Sequence, residues 1–133
     1  MFSEIVSSIY GLVDPGFEVA NPGVILVLEN QPFDWDNPPQ RFVEFEVKLY
    51  SGHQIGMSNK PGTRLSGYVY ACAYAKLGTG TLDSLRALEW IADLLKYRSV
   101  SGVQFQAPEV TDSKPFKGWQ TTDLKVAFHS DKA

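Results

Sequence analysis

Residues 64–97 read RLSGYVYACAYAKLGTGTLDSLRALEWIADLLKY, and the fold turns on this stretch. In 64–76, Tyr68, Tyr70, Cys72 and Tyr74 fall on one side of an extended chain, and Val69, Ala71, Ala73 and Ala75 on the other, because strand side chains alternate. The aromatic and β-branched content favours a strand. The small-residue side suits close packing against a helix. The tyrosine side suits a half-wet surface, since each ring is apolar with a polar tip. Gly78-Thr79-Gly80-Thr81 then breaks the strand, with Thr81 a candidate N-cap and Asp83 placed at the positive end of a helix dipole. Residues 82–97 are expected to be helical. Leu85, Leu88, Ala92 and Leu95 keep the helical period, widened by Ile91 and Leu94, while Arg86, Glu89, Asp93 and Lys96 fall mostly on the other side. One oily stripe needs a cover, and the preceding strand is its natural partner.

Working outward, residues 2–13 are predicted to form a helix, capped by Ser3 and stopped by Asp14-Pro15-Gly16. Its stripe is Phe2, Ile5, Ile9, Leu12 and Val13. Residues 24–28, VILVL, read as a strand buried on both faces. Residues 29–40 hold three prolines and form a loop that carries Phe33 and Trp35. Residues 41–50 alternate cleanly, with Val43, Phe45, Val47 and Leu49 inward and Glu44, Glu46 and Lys48 outward. Residues 51–63, SGHQIGMSNKPGT, read as the long tip of a hairpin. Residues 100–110 and 118–129 are two more expected strands, joined by a polar turn over 111–117, with 130–133 frayed. The order is α-β-β-β-α-β-β. It implies one α+β domain over 1–133, with a largely antiparallel sheet of about five strands and two helices on one face.

A chain of 133 residues, 44% hydrophobic, fits one domain with one core. No run is long enough to span a bilayer, and the acid-bearing N-terminus lacks the basic region of a secretory signal. Cys72 is the single cysteine, so no internal disulfide forms, as suits a reducing compartment. The net charge of −3 argues against a general nucleic-acid binder.

Catalytic chemistry is sought and not found. His53, His129 and Cys72 are scattered singly, so neither a metal site nor a nucleophilic triad is expected. The Gly78-Thr79-Gly80-Thr81 turn could hold an anion, but it lacks a P-loop lysine and the third glycine of a dinucleotide fingerprint. Glu44 and Glu46 could be imagined as a catalytic pair, and a solvated strand face explains them more simply. No cofactor and no enzymatic activity are expected. Large apolar groups in polar loops either tuck back on the domain or meet a partner. Both readings stand for Phe33 and Trp35, while the glycines around Ile55 and Met57 favour a partner. The candidates for protein contact are Phe33, Trp35, His53, Ile55, Met57, Lys60 and Arg64.

The order of landmarks resembles the tail-terminator-like proteins of long-tailed bacteriophages. It runs from a first helix to a strand ending Leu28-Glu29-Asn30, then Pro32-Phe33, then a long hairpin with Gly67 near the start of its second arm. Gly78-Thr79-Gly80-Thr81, the amphipathic helix and a closing strand opened by Gly118-Trp119 follow. The resemblance covers nearly the whole chain. It implies a structural virion protein that forms a ring, usually a hexamer, at the head-proximal end of the tail tube. Such a ring stops tube polymerisation and offers a surface for head–tail joining. The implied partners are further copies of the chain, the tail tube protein and a head-completion or neck protein. DNA passes through the lumen without specific binding, and no membrane is involved. The implied place is the head–tail junction, assembled in the bacterial cytoplasm. Lys60 and Arg64 would then face acidic partner surfaces or the DNA channel. The alternatives are another connector, such as a neck or tail-completion protein, or a small-molecule-binding domain built on Tyr68, Tyr70 and Tyr74.

Overall fold

The computed structural model describes residues 2–28, 36, 38–55, 62–78, 82–100 and 102–132. The elements run α1 (Phe2–Ala20), β1 (Ile25–Leu28), β2 (Arg41–Ile55), β3 (Gly62–Lys76), α2 (Leu82–Leu95), β4 (Ser99–Val100), β5 (Val103–Phe116) and β6 (Trp119–Lys132). The strands form one sheet in the order β1-β2-β3-β6-β5-β4. β1 runs parallel to β2, and every other pair is antiparallel. The chain is thus an α+β fold, as the element pattern implies, with a sixth strand of only two residues at one edge.

Alternation decides which face is covered. Rows across the sheet set Phe45 beside Ala71 and Leu124, and Val47 beside Val69 and Val126. All six are buried, and Ile5, Ile9, Val13 and Phe17 of α1 join them with Ala87, Leu88, Ile91 and Leu95 of α2 in one core. Both helices therefore lie on one face. The alanines at 71, 73 and 75 keep that face low where α2 crosses β2, β3 and β6. α1 packs beside α2, with the Phe17 ring edge-on to Trp90 at 5.8 Å.

The structure corrects several expectations. α1 continues through Pro15 to Ala20 instead of stopping at Asp14-Pro15-Gly16. Phe17 extends the stripe Ile5, Ile9, Val13 by one more turn and is fully buried. Burying a phenylalanine offsets much of the roughly 3 kcal/mol that an internal proline costs. The real stop is Asn21-Pro22-Gly23: the Asn21 backbone and side-chain nitrogens both donate to the Phe17 carbonyl, and Gly23 takes a positive φ. β1 is an edge strand, with Ile25 41% exposed, not one buried on both faces. The hairpin strands run to Ile55 and from Gly62, which converts most of the expected 51–63 loop into paired strand. Likewise 111–116 is strand, and the reversal is the short turn at Lys117-Gly118, both at positive φ. β6 stays paired to Lys132 with Ser130 buried, so the end is not frayed at 130–132.

Candidate interaction surfaces

Three features of the sheet could meet a partner. The first is the end of the β2–β3 hairpin. Register sets His53 opposite Arg64 and Ile55 opposite Gly62, while β6 brings Asp131 beside Arg64. Three of the sequence candidates, His53, Ile55 and Arg64, are thereby gathered at one end of the sheet. Phe33, Trp35, Met57 and Lys60 lie outside the described residues, as do positions 79–81 with the expected Thr81 cap.

The second feature is a pair of unlike sheet edges. β1 pairs only with Phe42, Val43, Glu44 and Phe45 of β2. Among the described residues, β2 therefore has no neighbour on that side from Glu46 onward. At the opposite edge β4 covers only Val103 and Gln104 of β5. Pro108 and Pro115 remove two backbone donors from β5, which blunts that edge. The β2 edge carries no proline.

The third feature is the sheet face turned away from the helices. Its rows read Phe42–Tyr74–Thr121, Glu44–Cys72–Asp123, Glu46–Tyr70–Lys125 and Lys48–Tyr68–Ala127. Phe42 is buried despite lying on this face. Tyr74 stacks on it at 4.5 Å, and Trp119 meets it edge-on at 5.2 Å. This aromatic wall joins residues that sequence separates widely, so only the register reveals it. Lys48 pairs with Glu46 at 3.3 Å, and the Lys125 ammonium sits 4.5 Å from the centre of the Tyr68 ring.

The electrostatics of this face favour protonated forms. Burial, then the neighbouring Glu46 charge, hold the Glu44 carboxyl above the usual range. Burial and a hydrogen bond donated to Asp123 raise the Tyr70 phenol, and burial with the Cys72 and Glu44 charges raises Tyr74. Burial pushes the Cys72 thiol up to about 12, helped by its hydrogen bond to Asp123. A thiol so placed is a poor nucleophile at neutral pH. The shallow depression on this face is lined by Tyr68, Gln106, Ala107, Glu109, Lys125 and Ala127. It lies beside the shifted groups, not around them. Among the described residues, no three His, Cys, Asp or Glu side chains gather as a metal site. Among the described residues, no helix is long and apolar enough to cross a membrane.

No protein-family model matches the chain, and no curated protein matches it in sequence. Similarity is found at the level of solved structures. One protein superposes with a TM-score of 0.74 at 9% identity, over 98% of this chain and 95% of its own. A chain from the virion of a native gene transfer agent particle superposes with a TM-score of 0.49 at 12% identity, over 96% of this chain and 93% of its own. The first match shows that the whole fold recurs in a protein of unrelated sequence. At such identities neither match carries a function to this chain.

Proposed function

We propose that the chain is a structural subunit of a phage-type virion that closes into a ring at the head-proximal end of a tail tube. There it stops tube growth and receives the head. The order of sequence landmarks carries the reading, from the first helix through the long hairpin to Gly118-Trp119. The geometry of the edges supports it. A cyclic ring needs two different surfaces on opposite sides of each subunit. The open β2 edge and the β5 edge supply such a pair. Contacts that are weak singly become cooperative once the ring closes.

A further feature suits this role. The hairpin end brings His53, Ile55 and Arg64 to one end of the sheet, where they would meet the tube or a neighbouring subunit. Tail length tests the reading. Particles assembled without this protein are expected to carry tails longer than normal, and so are particles in which residues 56–61 are replaced by a two-residue turn. Tails of normal length without the protein would remove the terminator role. Normal tails with the shortened hairpin would remove only the role of its tip.

A further inference from the structure

α1 is built from residues that oppose a helix. Pro15 has no amide hydrogen, so the Gly11 carbonyl lacks its donor one turn on. Gly11 and Gly16 lose more backbone freedom on becoming helical than any other residue would. Packing requires neither glycine: a Cβ at Gly11 would meet nothing within 4 Å, and one at Gly16 would rest on the Trp90 ring at 3.4 Å. Glu18 lies in the last turn, at the negative end of the helix dipole, with no basic residue there to offset it. Among the described residues no ion pair holds Glu4, Asp14 or Glu18. α2, by contrast, contains neither proline nor glycine. What keeps α1 helical is its buried stripe, Ile5, Ile9, Val13 and Phe17, with Tyr10 meeting Phe45 and Phe17 meeting Trp90, each at 5.8 Å.

The strand that follows is held as lightly. β1 has four residues, lies at the sheet edge and pairs only with β2. β2, β3 and β6 are paired along nearly their whole lengths and packed under α2. Asn21-Pro22-Gly23 joins α1 to β1 in a tight turn, with Gly23 at positive φ. Residues 29–40 join β1 to β2, a connection whose maximum reach is roughly 40 Å. We propose that α1 and β1 form an arm that opens as one unit and exchanges between copies of this chain, the α1 of one copy filling the place that another copy's own helix has left. Opening breaks one short ladder and one buried stripe, while the long ladders and α2 stay intact. A helix with these breakers is not stable alone, so α1 unwinds when it leaves. The closed chain fixes the occupant: the place under α1 is shaped to Ile5, Ile9, Val13 and Phe17, and a second copy brings the same stripe. The exchange needs no new interface, and it stands whether or not the chain is a virion subunit.

Two measurements on the purified chain test this. In native-state hydrogen exchange, the amides of Ile9, Val13, Phe17 and Val27 are expected to share one opening, at least about tenfold less protected than Ala71 and Val126 in β3 and β6. Exchange of all these amides in a single opening overturns the proposal, because the arm would then leave only when the whole chain unfolds. The second measurement mixes two labelled populations, one with a donor at Ser7→Cys on α1 and one with an acceptor at Glu89→Cys on α2. Both sites are exposed, and the buried Cys72 takes no label. Energy transfer is expected to grow after mixing, at a rate set by arm opening. Gly11→Ala in both populations fills open space and strengthens α1, so it is expected to slow that growth about fivefold. No transfer at protein concentrations up to about 1 mM overturns the exchange. Transfer whose rate ignores Gly11→Ala overturns it as well, because the copies would then associate through their surfaces with both arms closed.

Discussion

A methyl group at Gly67 would overlap the Lys48 carbonyl oxygen and stand 2.8 Å from the Phe128 ring. The glycine is needed for space, not for an unusual backbone angle. It lies beside the bulge between Leu49 and Ser51, and the Phe128 ring lies over the bare backbone. Gly67→Ala is expected to cost about 3 kcal/mol, read as a lower urea midpoint with an unchanged slope. Glu44 gives a pH test of the open face. Its folded pKa is raised, so its contribution to stability is fully present below the ordinary value of 4.5 and lost as pH rises through the folded value. Glu44→Gln is therefore expected to stabilise the chain at neutral pH. The gain stays under about 1 kcal/mol, because the half-exposed side chain is screened. It should vanish below the ordinary value, so urea midpoints of the two proteins should converge in acid. Sequence showed Glu44 on an outward face. It could not show that Cys72 and Asp123 crowd the same row, because those neighbours come from other strands.

At the scale of elements, periodicity located both helices and the five main strands, and the small-residue face of β3 packs on α2 as its alternation implied. Boundaries were the weak point, and the reason is tertiary. Pro15 is a local stop signal, but the burial of Phe17 and the cap at Asn21 lie beyond it and prevail. Similarly, 51–55 and 111–116 have the composition of loops and gain strand pairing only from a partner strand already in place. The last turns of α1 therefore depend on one side chain. Phe17→Ala is expected to cost about 3–5 kcal/mol, through the lost packing on Trp90 and a vacated core position. Helical circular dichroism should fall as well, since the turn after Pro15 would lose its anchor. A loss below about 1 kcal/mol would mean that the proline, not the phenylalanine, governs that end of the helix.

At the scale of the whole molecule, one face of the sheet is covered by helices and the other carries an aromatic wall. Among the described residues, β2 has no neighbour on its outer side from Glu46 onward, and β5 carries two prolines at the other edge. The proposed role uses this difference between the two edges. The sequence candidates divide accordingly. His53, Ile55 and Arg64 are brought together by the hairpin, and the remaining four lie outside the described residues. Leu85 and Ala92 look like core in a helical stripe and are half-buried, and the exposed Val110 that joins them in a small groove comes from another strand, which no local pattern records. The most direct measurement is the position of this protein in assembled particles, by epitope labelling at the chain's C-terminus and electron microscopy of purified virions. The account predicts label in a single collar where the head meets the tail. Label elsewhere on the particle, or on no particle, would contradict it.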